Sequence, residues 1–165
     1  MINQKDQHQS VGFTIVELLI VIVVIGILAA ITIVAYNGIQ NRANDVAVQS
    51  DLSNFHKRME MQRSINGAYP ATNGLTGIDL KVSLGSYDLN VNNLLYCVST
   101  DQMEYGLAAV SKSGKVTYVN TNGKISDYSQ AWSQASSTTC PNIITAVSYS
   151  ATWGSTGTGG WAKAL

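Results

Sequence analysis

From Phe13 to Ala35 the chain reads FTIVELLIVIVVIGILAAITIVA, 23 residues with a single charge, Glu17. As an α-helix this run would be about 34 Å long, enough to cross the hydrocarbon core of a bilayer. Its β-branched residues lower helix propensity in water, but in lipid a helix is the one local structure that satisfies every backbone group. Glu17 is the anomaly. An ionised carboxylate costs about 3 kcal/mol or more at the bilayer centre and less near its edge. It is either an interfacial side chain that reaches for water, or one half of a pair completed by a positive partner in an assembly. Ionisable groups in spanning helices usually serve a purpose, which favours the second reading.

The segment before the run, MINQKDQHQSVG, is short and polar, with Lys5 and the starting amino group as its positive charges. A secretory signal has a basic start, a short apolar stretch and a small-residue cleavage site beyond that stretch. Here the apolar run is too long, and the small residue, Gly12, lies on its near side. Cleavage after Gly12 would leave the apolar helix on the mature chain and create a new amino group at Phe13, four residues from Glu17.

Gly12-Phe13-Thr14-Ile15-Val16-Glu17-Leu18-Leu19 resembles the processing site of type IV pilins and of the pseudopilins of type II secretion and competence machines. The family pattern is a Gly, an N-methylated hydrophobic residue, three residues, then Glu. The resemblance covers Gly12 to about Tyr36, and Tyr36 matches a frequent family tyrosine. Val34 departs from it, since many pilins carry proline there, and this leaves open whether the helix partly melts on assembly. What the resemblance implies is a leader peptide over 1–12, cut between Gly12 and Phe13 by a prepilin peptidase that then methylates the Phe13 amino group. It further implies a cytoplasmic-membrane intermediate with its C-terminal region outside, and then an extracellular filament of copies of this chain or of other pilins. Phe13 and Glu17 would form the assembly ion pair.

Bulk composition is consistent with a structural role. Lys plus Arg and Asp plus Glu number ten each, so formal net charge is zero, which argues against a dedicated nucleic-acid binder. Lys112, Lys115 and Lys124 fall on or near expected turns and could meet phosphates, but turn lysines are ordinarily just solvated. His8 and His56 are far from both cysteines and no CxxC occurs, so no metal site is expected. No G-x-S-x-G elbow, P-loop or paired-carboxylate pattern occurs. The chain reads as a non-enzyme without a cofactor, and as the substrate of an enzyme.

Beyond Asn37 the pattern becomes amphipathic. Ile39, Ala43 and Val46 begin an apolar stripe, and Val48, Leu52, Phe55 and Met59 continue it one position over, at steps of three and four. Asp45, Asp51, Lys57, Arg58, Glu60 and Arg63 fall mostly off the stripe. Asn66-Gly67 is a helix stop. One helix is therefore expected from about Phe13 to about Ile65, a transmembrane part over 13–36 and an amphipathic part over 37–66. Asn66-Gly67-Ala68-Tyr69-Pro70 resembles the Gly-x-Tyr-Pro turn that follows this helix in many pilins. Strands are expected at Leu94–Ser99, Tyr105–Ser111 and Lys115–Asn120, with turns at Lys112-Ser113-Gly114 and Asn122-Gly123. Lys124–Tyr128 and Asn142–Ser150 are further strand candidates. Leu75–Asn93 reads as a loop-like insertion, and Thr152–Gly160 as a poorly ordered Gly/Ser/Thr tail. The expected class is α+β: a long N-terminal helix packed on an antiparallel sheet of three to five strands, the pilin fold, with a β-rich head over 67–165.

Cys97 and Cys140 are either two buried thiols or one disulfide; an exported head suits the bond, and pilins resembling this chain often staple the C-terminal region that way. Trp132, Trp153 and Trp161 are either packing residues or part of an adhesive, carbohydrate-facing surface. The leading function is a type IV pilus subunit. The alternatives are a pseudopilin, against which the lack of an acidic calcium-like cluster weighs, and a membrane-anchored binding module that never polymerises.

Overall fold

A computed structural model describes residues 12–78, 80–88, 91–133, 135–154 and 162–164. The leader, apart from Gly12, and Trp161 lie outside the described residues. Two compact units are present, Met1–Ile39 and Gln40–Leu165. Helix α1, Ile15–Asn66, contributes to both.

In the first unit every described side chain from Gly12 to Ile39 is exposed. The helix is long and apolar enough to cross a membrane. Its one interior threonine, Thr32, donates its hydroxyl to the Leu28 carbonyl, so that polar group needs no water.

In the second unit, α1 ends as its sequence dictates. Gly67 takes φ +76° and its N–H donates to the Arg63 carbonyl at 2.8 Å, closing the last turn. The chain then doubles back through Tyr69. Its hydroxyl donates to Glu60 at 2.6 Å and accepts from Arg63 at 3.1 Å, so the turn is tied to the helix it has just left.

Five antiparallel strands follow: β2 (Leu94–Ser99), β3 (Tyr105–Val110), β4 (Val116–Asn120), β5 (Ser126–Asp127) and β6 (Tyr149–Gly154), ordered β5-β4-β3-β2-β6 across the sheet. Turn glycines set the register. Gly114 (φ +90°) closes the β3–β4 hairpin, and Gly123 (φ +74°) closes the turn after β4. A separate two-stranded pair joins β1 (Leu80–Val82) in parallel to β7 (Ala162–Ala164). With the helix against this sheet, the expected α+β pilin-like arrangement is present.

The sheet is covered on both faces. Leu94, Tyr96 and Val98 of β2 and Tyr105 and Leu107 of β3 pack on Val48, Leu52, Phe55 and Met59 of the helix. Burying four such helix side chains supplies about 1.5–3 kcal/mol each. The alternate residues Leu95 and Cys97 pack on Tyr128, Cys140, Ile143 and Ile144. This second layer explains why β2 is buried at every position instead of alternating.

Several expectations are corrected. Ile39 and Val46 are 67% and 63% exposed, and Ala43 is exposed too, so the buried stripe begins only at Val48, where the sheet first covers the helix. Asp51 is on that stripe and buried. Residues 142–148 form no strand. Cys140–Asn142 is a 3-10 turn containing Pro141, and the adjacent Ile143 and Ile144 are both buried, which a strand's two-residue period forbids on one face. The strand starts instead at Tyr149. Thr152–Gly154, expected to be loose tail, is the end of that strand. The loop-like insertion Leu75–Asn93 begins inside a 3-10 turn, Thr72–Gly77, and contains β1 and a second 3-10 turn, Leu84–Ser86, with Leu75, Leu80, Val82 and Tyr87 in the helix-side core.

Candidate functional site: the helix N-terminus and its carboxylate

Thr14 stands immediately before the first helical residue, Ile15, and Glu17 is the third helical residue. The Thr14 hydroxyl accepts the Glu17 N–H at 3.2 Å, and the Glu17 carboxylate accepts the Thr14 N–H at 2.9 Å and the Thr14 hydroxyl at 2.7 Å. This is a capping box, in which residues three apart satisfy each other's orphan donors. It also places a carboxylate over the positive end of the helix dipole. The sequence reading missed this role for Thr14, although the T-x-x-E spacing before an apolar run is its signature.

Phe13 is 92% exposed, and Ile15, Leu18, Leu19 and Ile22 are exposed beside it. The site thus combines a bare apolar flank, a backbone N-terminal to the helix at Gly12-Phe13, and one fixed carboxylate. Among the described residues, no atom outside its chain neighbours lies within 4 Å of where a Gly12 Cβ would stand.

In the head, Cys97 and Cys140 are joined, with Cα atoms 5.8 Å apart, between β2 and the outer layer. Two helical aspartates, expected mostly off the apolar stripe, fasten loops. Asp51 accepts from the Ser83 N–H (2.8 Å), the Ser83 hydroxyl (3.1 Å) and the Tyr87 hydroxyl (3.0 Å). Asp45 accepts from the Ser111 and Ser113 hydroxyls at 2.5 Å each. Burial pushes the Tyr87, Tyr96 and Tyr105 hydroxyls well above their ordinary range, so they stay protonated and act as hydrogen-bonding groups. Lys115 pairs with Asp127 at 3.0 Å, while Lys112 and Lys124 are exposed. Among the described residues, no three His, Cys, Asp or Glu side chains come together.

An apolar N-terminal helix capped around a single carboxylate, leading into a helix that packs on an antiparallel sheet, defines a pilin-like α+β protein. The chain is 34% identical over 113 residues to the type IV wide pilus major component PilA4 of Thermus thermophilus, spanning 68% of this chain and 82% of that one. It is 32% identical over 82 residues to the type II secretion system core protein G of Klebsiella pneumoniae (50% of this chain, 57% of that one). Against the core protein G of Escherichia coli it is 34% identical over 62 residues, 38% and 43% of the two chains. No family model matches the chain, and no solved structure does. The chain belongs to the family of type IV pilins and type II secretion pseudopilins.

Proposed function

We propose that this protein is a structural subunit of a type IV pilus, inserted once through the cytoplasmic membrane with its head outside. A prepilin peptidase cuts it after Gly12 and methylates Phe13, and it then assembles with copies of itself or other pilins through the apolar helix. The role is non-catalytic. The observation that carries this reading is the lone, positioned carboxylate of Glu17 on an otherwise bare apolar helix. In lipid or in a bundle of such helices, that charge calls for a positive partner. The similarity to a pilus major component, over more of this chain than the secretion proteins match, favours a pilus over a pseudopilus.

The test is intact-mass analysis of filaments sheared from cells that make this chain. The expected species starts at Phe13 and carries one added methyl group. A species retaining Met1, or one cut inside the apolar run near Ala29-Ala30, overturns the reading.

A further inference from the structure

The sequence holds no Asp, Glu, Lys or Arg from Tyr128 through Ala162, although it is rich there in Ser, Thr, Asn, Gln and aromatic residues. The described part of this stretch forms the outer layer of the head and the edge strand β6. Two of its tryptophans meet. Trp132, in the loop before α2 (Ser136–Thr139), and Trp153, on β6, lie with ring centroids 5.5 Å apart and planes at 90°. Perpendicular planes make a corner rather than a closed sandwich, and both side chains remain half-exposed. Neither indole N–H has a hydrogen-bond partner among the described residues.

The corner is held rigidly. Trp153 sits opposite Leu95 in the β2–β6 ladder. The Trp132 loop is fastened through Ser133, whose carbonyl accepts the Thr139 hydroxyl at 3.1 Å. The next residue, Cys140, is bonded to Cys97 on β2. The Tyr149 hydroxyl, on the same face of β6 as Trp153, donates to the Ser136 carbonyl at 3.4 Å. Fixing two aromatic rings before a ligand arrives removes an ordering cost from binding.

Indole faces carry partial negative charge, which attracts the weakly positive C–H groups on a pyranose face, and the indole N–H can donate to a sugar hydroxyl. The stretch that carries both rings has no ionised side chain of its own to hold a polyanion, and it sets none against an uncharged ligand. We propose that the Trp132–Trp153 corner binds neutral saccharides, uncharged hexose or N-acetylhexosamine units. Saccharide binding at this corner needs no second subunit in the proposal, so it is tested on single subunits.

The experiment uses the full-length chain in detergent, titrated separately with neutral hexaoses of glucose, mannose, galactose and N-acetylglucosamine while tryptophan fluorescence is followed. Duplex DNA and polygalacturonate serve as charged probes. At least one neutral hexaose should bind saturably. Trp132→Ala and Trp153→Ala should each weaken it about tenfold or more. Trp132→Phe, with an unchanged melting temperature, should lose less. Saturable binding of none of the four up to about 10 mM overturns the proposal. So does neutral binding that both alanine variants leave intact, or tighter binding of either polyanion. If the corner is instead a subunit contact, the alanine variants will lower filament yield while no hexaose binds the wild-type chain, which also overturns it.

Discussion

At the scale of single residues, the head is held by polar contacts that look like surface chemistry in the sequence. Asp51 lies one position from the core residue Leu52 and is 4% exposed. A buried carboxylate without partners would be untenable, yet three donors converge on it. Asp51→Ala strands the Ser83 N–H and the Tyr87 hydroxyl away from their acceptor, and should cost about 1–3 kcal/mol. Chemical denaturation of the full-length chain should show the loss, and Tyr87→Phe should show a smaller one, since it removes only one of the three bonds. Gly123 illustrates a backbone requirement. Its φ of +74° already excludes most side chains, and a Cβ there would stand 2.6 Å from His56 Nε2. On its other side, His56 Nδ1 is held at 2.6 Å from the Tyr105 hydroxyl, so the ring has little room to withdraw. Gly123→Ala should therefore destabilise by about 1–3 kcal/mol. In a double-mutant cycle, His56→Ala should recover the collision but not the φ strain. Full additivity in that cycle would show that the ring does not fix this turn.

At the scale of elements, patterning was most legible where one physical rule dominated. β2 runs over Leu94–Ser99, as its aromatic and β-branched composition predicts, and α1 stops at Asn66 because Gly67 follows. The outer layer was illegible for a specific reason. Ile143 and Ile144 are neighbours that both bury against the sheet, and Gly106 admits them so closely that a Cβ there would lie 2.8 Å from Ile144. Such cover depends on tertiary fit and leaves no period in the sequence. Likewise Asp51 can be buried beside Leu52 because Ser83 and Tyr87, distant in the sequence, supply its donors. The outer layer is also where the disulfide acts. Cys97 and Cys140 are 43 residues apart, and closing such a loop restricts the unfolded chain by about 3–4 kcal/mol. Reduction should lower the melting temperature of the head by about 10 °C or more, read by circular dichroism on the full-length chain. An unchanged melting point under full reduction would mean that hydrophobic cover alone holds Ile143 and Ile144 in place.

At the scale of the whole molecule, the N-terminal site and the head belong to different compact units, and the assembly residues proposed above fall in the first. The T-x-x-E cap adds something the processing pattern does not contain: Glu17 can serve its own helix as well as a neighbour. Substitutions separate the two roles. Glutamine at the third helical position still accepts the N-cap N–H, so Glu17→Gln keeps the capping box while removing the charge. Glu17→Ala removes both. Thr14→Ala leaves the charge but removes the N-cap hydroxyl, at a cost of about 1 kcal/mol to the helix start. If Glu17 completes a Phe13 ammonium on a neighbouring subunit, charge is what matters. A neutral side chain then leaves that ammonium buried and unmet, and removing one partner of a buried pair costs about 3–5 kcal/mol. Glu17→Gln and Glu17→Ala should then both abolish or severely reduce filaments seen by electron microscopy of sheared cells, with cleavage after Gly12 retained. Glu17→Asp should be partly tolerated, and Thr14→Ala should assemble at reduced yield. Normal filaments from Glu17→Gln together with failure of Glu17→Ala would show instead that the carboxylate works as a helix cap, and that the apolar flank of Leu18, Leu19 and Ile22 sets the register without an ion pair.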